Sequence, residues 1–95
     1  MIHRGNLVIG QYTRKNYSKL INVKGYLSIW GGYLSILGDI KLKNLKSVEG
    51  KLYIHSKVKV DISNLTIVGG DIWIHPRAEV KMHKKLKQLM IARGI

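Results

Sequence analysis

Apolar and polar residues alternate with a period of two in short segments along most of the chain. In residues 52–54 two aliphatic side chains flank Tyr53, and in residues 58–62 three aliphatic side chains alternate with Lys59 and Asp61. Such alternation is typical of β-strands with one face in a core and the other in solvent. The pattern predicts that the aliphatic side chains point inward and that the aromatic and charged ones point outward.

The alternating segments recur at a regular spacing, and a glycine precedes each of them. Four segments share the pattern Gly-x-Leu/Ile-x-Ile, and their glycines, Gly5, Gly25, Gly50 and Gly70, lie 20, 25 and 20 residues apart. A Leu-x-x-Val motif precedes three of them, at Leu20, Leu45 and Leu65. Self-similarity with this period is the mark of a solenoid, in which each coil covers the apolar face of its neighbour.

The repeat therefore predicts a mostly β fold, namely a small parallel β-solenoid of about four coils of about 20 residues. Each coil is expected to contain two short strands and a turn through the Leu-x-x-Val motif. The repeated glycine predicts a corner at which φ is positive or neighbouring coils approach too closely for a side chain.

The second coil is longer than the others. The pentapeptide GYLSI occurs at residues 25–29 and again at residues 32–36. The duplication predicts either an insertion of five residues or an additional short strand, and the sequence leaves both open.

The last part of the chain changes from a strand pattern to a helix pattern. Met82, Leu86, Leu89 and Met90 are spaced to share one face of a helix. Because a solenoid exposes its last coil, we expect a basic amphipathic helix over residues 81–93 to cap that open end. The chain is thus predicted to be one domain over residues 1–95, with the repeats in residues 5–80.

The segment Leu-x-x-Val-Gly-Gly-Asp-Ile-x-Ile at residues 65–74 resembles the short leucine-rich, β-solenoid-like repeats of many phage and bacterial proteins. This resemblance covers residues 5–80 and implies a binding surface rather than a particular chemistry. The size and the Lys-, Ile- and Asn-rich composition also look like those of a small phage protein. That resemblance implies inhibition of a host enzyme or defence system, with nucleic acid as a bridge.

The charge of the chain narrows the choice of partner. Seventeen Lys and Arg residues against five Asp and Glu residues give a net charge of +12 on 95 residues. The positive charges are spread along the chain, so the whole folded body should attract nucleic acid or an acidic protein surface. The alternative is that the lysines only keep a strand-rich protein soluble and its edges unpaired.

Ring side chains gather at the outward positions of the first strand of the coils. They are Tyr26, Trp30, Tyr53, His55, Trp73 and His75. Cations on or beside the strands are Lys41, Lys43, Lys51, Lys57, Lys59 and Arg77. Rings on a sheet can stack unpaired bases, at about 1–3 kcal/mol per base, while cations hold the phosphates. The alternatives are a cross-strand ladder that only stabilises the sheet, and contact with a protein partner or a second subunit.

The predicted helix adds Lys84, Lys85 and Lys87 to the candidate phosphate contacts. The alternative is that these lysines are merely solvated on the outer face of a capping helix. A role at a membrane surface is not favoured, because capping uses the apolar stripe, which contains no Trp or Phe.

Catalytic and metal-binding patterns are not evident. His55 and His75 should lie on adjacent coils, but two imidazoles without a cysteine or carboxylate cluster do not complete a metal site. Neither paired carboxylates nor a nucleophile with an oriented base stands out. We therefore predict no enzyme activity, no cofactor and no metal.

The sequence favours a non-catalytic binding protein for nucleic acid, RNA more than DNA, or for a nucleoprotein complex. The alternative is a protein-only interaction or oligomerisation module that docks an acidic partner, and a homo-oligomer is compatible with both. The chain has no cysteine and no apolar run long enough for a membrane span. We therefore expect a cytoplasmic protein, in the host cytoplasm if a phage encodes it.

Overall fold

The structure is a computed structural model that describes residues 1–10, 17–30, 40–55 and 58–94. Within these ranges the chain forms eleven short strands followed by one helix. The strands are β1 (Ile2–His3), β2 (Leu7–Ile9), β3 (Asn22–Val23), β4 (Leu27–Ile29), β5 (Ile40–Lys41), β6 (Ser47–Val48), β7 (Leu52–Ile54), β8 (Lys59–Ile62), β9 (Ile67–Val68), β10 (Ile72–Ile74) and β11 (Glu79–Met82), and the helix is α1 (Lys84–Ala92).

The strands form three parallel sheets that run along the solenoid. Sheet A contains β1, β3, β6 and β9, sheet B contains β2, β4, β7 and β10, and sheet C contains β5, β8 and β11. The chain passes from sheet A to sheet B to sheet C and then returns to sheet A one rung further on. The described residues therefore make about three complete turns of a parallel β-solenoid, which confirms the predicted fold class.

Each complete coil contains one strand more than the sequence predicts. The Leu-x-x-Val segment was expected to be only a turn, but its valine lies in a two-residue strand of sheet A, as at Val48 in β6. The leucine three residues earlier, as at Leu45, is fully buried at the preceding turn. The backbone N–H of Leu45 donates to the carbonyl of Leu42 at 3.1 Å, which closes that turn.

The strand register locates the extra residues of the second coil. Leu27 pairs with Leu52, which is 25 residues later, whereas Ile40 pairs with Val60, which is only 20 residues later. The five additional residues therefore fall between Ile29 and Ile40 in the sequence. The alternative of an additional strand concerns residues 31–39, which lie outside the described residues.

The core consists of aliphatic side chains from all three sheets, stacked in columns. In sheet B, Leu27 and Leu52 form one fully buried column, and Ile29 and Ile54 form another. The inward positions predicted for the second strand of the coil are confirmed, because Val60 is buried and Leu42 and Ile62 are fully buried. These columns hold the strands in register, because a slip of one residue would turn aliphatic side chains toward water.

Neighbouring coils approach closely at the glycine corner between sheets A and B. The backbone N–H of Gly50 donates to the carbonyl of Gly25 at 3.0 Å, and that of Gly70 donates to Gly50 at 2.9 Å. A Cβ atom at Gly50 would lie 2.8 Å from the carbonyl carbon of Gly25. Close approach of the coils thus accounts for Gly25, Gly50 and Gly70, whereas Gly5 on the first coil has open space around its Cβ position and a positive φ of 88°.

Asparagine side chains link successive coils at the turns between sheets C and A. The amide of Asn44 donates to the carbonyl of Ser18 at 2.5 Å, and the amide of Asn64 donates to the carbonyl of Lys43. Each bond satisfies a turn carbonyl on the preceding coil, so these residues tie one turn to the next.

The helix begins later than the sequence predicts. Lys81 and Met82 belong to β11, which extends sheet C by one rung, and α1 begins at Lys84. His83 is the N-cap residue, and its Nδ1 accepts a hydrogen bond from the backbone N–H of Lys85 at 2.9 Å. The apolar spacing of Met82 matches the helix stripe by coincidence, because alternate residues of a strand and i+4 positions of a helix overlap in a short segment.

Helix α1 covers the end of the stack. Leu86 is fully buried in the core, and Leu89 and Met90 pack against it. The guanidinium of Arg93, one residue past the helix, donates to the carbonyl of Val68 at 2.7 Å and to the carbonyl of Gly70 at 2.5 Å. The apolar stripe thus covers the core at this end, and Arg93 satisfies two backbone carbonyls on the edge of the last coil.

Candidate binding surface on sheets B and C

Six ring side chains form one continuous group, the ring cluster, on the outer face of sheet B and at its corner with sheet C. The ring centroids are 6.4 Å apart for Tyr26–Tyr53, 6.4 Å for Tyr53–His55, 3.5 Å for Trp30–His55, 5.5 Å for His55–Trp73 and 5.9 Å for Trp73–His75. The structure thus brings together all six rings named from the sequence. Their role in binding remains a prediction.

Backbone hydrogen bonds continue past the strand ends and explain why the rings gather. The N–H of Trp30 donates to the carbonyl of Ile9 at 2.8 Å, one residue beyond β4. The N–H of His55 donates to Ile29 at 2.9 Å, and that of His75 donates to Ile54 at 2.8 Å. Residues at equivalent positions of successive coils therefore lie above one another, along the direction of the solenoid axis.

Trp30 and His55 form the closest pair in the cluster. Their rings are stacked, with centroids 3.5 Å apart and planes 10° from parallel. Burial lowers the pKa of the His55 imidazole below its ordinary value, and the nearby His75 lowers it further. The lowered pKa favours the neutral imidazole, and one face of the Trp30 indole is already covered by His55.

Ser28 lies on the same face of sheet B as Tyr53 and Trp73, but it is buried. Its residue is only 6% exposed, because it lies in register between Val8 and Tyr53, which have larger side chains. Its Oγ shares a hydrogen bond of 3.2 Å with Nε2 of His55. Among the described residues no carboxylate contacts this imidazole, so the bond orients His55 under Trp30 rather than forming a triad.

Three rings of the cluster are open to solvent. Trp30 is 49% exposed, Trp73 is 46% exposed and Tyr26 is 36% exposed. Tyr53, His55 and His75 are half-buried between them. The accessible aromatic area is thus at β4 and β10, the first and last of the three sheet B strands that carry rings, and the half-buried rings join them.

The outer face of sheet C is cationic but partly neutralised. Lys41, Asp61 and Lys81 are aligned across the three strands, so the carboxylate lies between two lysines. Hydrogen bonds from Ser63 lower the pKa of Asp61, and the charges of Lys81 and Lys43 lower it further.

A second ion pair on sheet C joins Lys59 to Glu79, with the charged atoms 3.7 Å apart. Both partners are exposed, so the pair is weak. Four lysines, including Lys43, and two acids line a groove of about 490 Å³ on this sheet. The sequence pattern placed Lys81 in the helix. Its pairing with Asp61, which also pairs with Lys41, shows that it is a cation of sheet C.

The other predicted cations lie at different distances from the ring cluster. Arg77 is exposed in the turn that connects sheets B and C, and its backbone N–H donates to Nδ1 of His75 at 3.0 Å. Lys51 is exposed at the start of β7, at the opposite end of the strand from His55. Lys57 lies outside the described residues.

The lysines of the helix are separate from the sheet surface. Lys84, Lys85 and Lys87 are exposed on α1, which covers the end of the stack and not the outer face of sheet B. They add to the positive potential of the molecule without joining the ring cluster.

In the part of the chain that the structure describes, no group of three or more His, Cys, Asp or Glu residues could hold a metal ion. Within the same residues, no helix has the length and apolar character needed to cross a membrane.

Comparisons with protein-family models, curated proteins and solved structures found no match. The fold alone defines the class of the protein, a small β-solenoid repeat protein with a C-terminal helix.

Proposed function

We propose that the protein is a non-catalytic binding protein for nucleic acid, with RNA favoured over DNA. Unpaired bases stack on the ring cluster, and phosphates contact the cations of sheet C and Arg77. One observation carries the proposal, namely that exposed Trp30, Trp73 and Tyr26 belong to one continuous group of rings beside a lysine-rich sheet.

The rings are suited to stacking because they are held in place before a ligand binds. His55 supports Trp30 from one side, and the 5.5 Å contact between His55 and Trp73 connects the two indoles. Stacking of a base on an aromatic side chain contributes about 1–3 kcal/mol and tolerates any base. The surface therefore favours unpaired bases without strong sequence preference, and RNA supplies such bases in loops and bulges.

The cations supply a salt-dependent attraction. The whole chain carries +12, and the sheet C groove has two more lysines than acids. Phosphates that approach this face replace Asp61 and Glu79 as partners of the lysines, so binding should weaken steeply with salt. That the protein inhibits a host enzyme or defence system stays a prediction from its resemblance to small phage proteins.

Docking of an acidic protein is a second candidate, and Val8 favours it. Val8 is 50% exposed and lies on the same face of sheet B as Ser28, Tyr53 and Trp73. An exposed patch of aromatic and aliphatic side chains with a charged rim is typical of protein interfaces. This candidate needs the same rings but no bound nucleic acid.

Binding of a fluorescently labelled single-stranded RNA, followed by anisotropy at about 50 mM salt, tests the proposal. Trp73→Ala should weaken binding by about five- to 150-fold, the equivalent of one stacked base. Ile67→Ala is the matched control, because Ile67 is also exposed on a strand but belongs to sheet A. It should leave the affinity unchanged.

Two results would count against nucleic acid binding. The first is the absence of any RNA or DNA binding by the wild-type protein at this low salt. The second is equal weakening by both substitutions, which would mean that the rings are not the contact. If nucleic acid does not bind, and Trp73→Ala breaks a complex or self-association that Ile67→Ala preserves, protein docking is the better explanation.

A further inference from the structure

We infer that the groove on sheet C binds a terminal phosphate group, a phosphate monoester, between Lys41, Lys43 and Lys81. These three lysines are called the lysine site below. The ligand is the phosphorylated end of an RNA strand or free phosphate, which share this chemistry. The inference rests on the proposed function, because it specifies which phosphate of a nucleic acid sheet C contacts.

The lysine site lies on the part of sheet C that is further from the ring cluster. Lys41, Asp61 and Lys81 are aligned across the three strands. The ion pair of this sheet lies two residues earlier along the strands, toward sheet B. Lys43 lies two residues beyond Lys41 and lines the same groove. The start of sheet C therefore separates the lysine site from the rings.

The three lysines are available to an external anion. Among the described residues none of them forms a salt bridge. The carboxylate between them, Asp61, accepts a hydrogen bond from the backbone N–H of Ser63 at 3.0 Å. Hydrogen bonds from Ser63 are the main cause of the lowered pKa of Asp61, and the charges of Lys81 and Lys43 contribute less. Asp61 is thus held by Ser63 and does not need the lysines as partners.

The charge of the groove favours a terminal phosphate over a phosphate within the chain. Four lysines and two acids line the groove, which leaves a surplus of two positive charges. A phosphate monoester carries about −1.5 to −2 at pH 7, whereas each phosphate within a strand carries a single negative charge. Lysine ammonium groups on flexible stems can converge on one phosphate. One monoester therefore neutralises the surplus.

The shape and the central acid of the groove define how the site can be tested. Its volume of about 490 Å³ is within the range of small-ligand sites, about 300–1,000 Å³. Asp61 repels an anion in this groove, so removal of its charge should strengthen binding. Attraction to the whole body of charge +12 would not distinguish Asp61 from another acid.

Oligouridines of about twelve nucleotides with a 5′-phosphate, a 3′-phosphate or no terminal phosphate test the inference. They compete with a labelled oligomer for the protein at about 50 mM salt, and anisotropy reports the displacement. At least one phosphorylated oligomer should bind at least about fivefold more tightly than the unmodified one. This ratio is the phosphate gain.

Matched variants locate the phosphate gain on sheet C. Lys81→Gln and Lys46→Gln each remove one positive charge, and Lys46 is exposed directly before β6 of sheet A. Lys81→Gln should reduce the phosphate gain at least about threefold, and Lys46→Gln should preserve it. Asp61→Asn should strengthen binding of the phosphorylated oligomer about two- to fivefold. Glu49→Gln, which removes a negative charge beside the glycine corner, should leave this binding nearly unchanged.

Millimolar inorganic phosphate, compared with chloride at the same ionic strength, distinguishes the two sources of the ligand. If phosphate abolishes the gain, the site takes the phosphate group from either source. If the gain persists in phosphate and is lost in Lys81→Gln, the RNA end is the ligand. Both results support the lysine site.

Two results would overturn the lysine site and leave RNA binding by the rings intact. They are the absence of a phosphate gain from either end of the strand, and equal reduction of the gain by Lys81→Gln and Lys46→Gln. The affinity of the unmodified oligomer and its response to Trp73→Ala test the proposed function separately. Failure of all three oligomers to bind at about 50 mM salt would overturn both.

Discussion

The glycine corner allows the cost of one added methyl group to be worked out from the structure. In Gly50→Ala, the new Cβ would lie 2.8 Å from the carbonyl carbon and oxygen of Gly25 and 2.9 Å from the amide nitrogen of Tyr26. Non-bonded carbon atoms prefer separations of about 3.5–4.0 Å. All three contacted atoms belong to the backbone of the adjacent coil, so no side chain can rotate away. The added atom must therefore push two rungs apart.

The expected loss is large for a single methyl group. Overpacking a well-packed site costs about 1–3 kcal/mol, and displacement of backbone places Gly50→Ala near the upper value. Alanine also restricts the unfolded chain, which offsets about 0.4–1 kcal/mol. The free energy of unfolding should therefore fall by about 2 kcal/mol, and the Tm of a domain of this size should fall by about 8–16 °C.

Urea and thermal unfolding, followed by circular dichroism, measure this loss. Gly10→Ala is the matched control, because a Cβ at Gly10 would have nothing within 4 Å. Its unfolding free energy should stay within about 0.5–1 kcal/mol of wild type. If the two variants are equally stable, the close approach of coils at Gly50 does not explain the repeated glycine.

Further predictions concern the helix-capped end of the solenoid and the loss of folding stability at low pH. Arg93→Gln should lower the unfolding free energy, measured by urea denaturation, by about 1 kcal/mol, because it removes the guanidinium hydrogen bonds to the last coil. Lys87→Gln on the same helix should have little effect. Equal losses in the two variants would mean that the Arg93 hydrogen bonds do not stabilise the end of the solenoid. Asp61 has a lowered pKa, so its charged form stabilises the fold above the unfolded pKa, and this stability disappears as the pH falls through the folded pKa. Urea midpoints measured from about pH 5 to pH 2 should fall more in wild type than in Asp61→Asn, and parallel curves would refute the linkage.

The sequence was sufficient to predict the glycine-led strands and their register. In β7 and β10, Leu52 pairs with Ile72 and Tyr53 pairs with Trp73, as the repeat requires. Aliphatic columns and a glycine corner occur at a constant interval, and both depend only on the distance between coils. Such features are visible in one sequence because each coil repeats them.

Sheet A could not be predicted in the same way. Its strands contain only two residues, as in β6 with Ser47 and Val48. Two residues show no alternation, so a two-residue strand cannot be distinguished from a turn by pattern. The assignment of Lys81 and Met82 to the helix failed for a related reason, because four residues of β11 fit both periods.

The sequence predicted which residues belong to the candidate site better than it predicted how exposed each of them is. The six rings are adjacent because the coils are stacked, which the repeat indicates. That Trp30 covers His55, and that Ser28 is buried beneath its larger neighbours, depends on rotamers and ring sizes in three dimensions. Period-two patterns assign a side of the sheet and not a degree of exposure.

Because the glycine corners at Gly50 and Gly70 are equivalent, the coil between them can be duplicated without a change in the corner contacts. Each corner glycine donates the same backbone bond to the preceding one, so a second copy of residues 51–70 inserted after Gly70 would find matching partners above and below. Such a protein would be longer by one strand spacing, about 4.8 Å, with both of its ends unchanged. It would also carry one more tyrosine and one more histidine on the outer wall. The length of the solenoid along its axis is thus set by the number of coils, because each coil adds the same strand spacing.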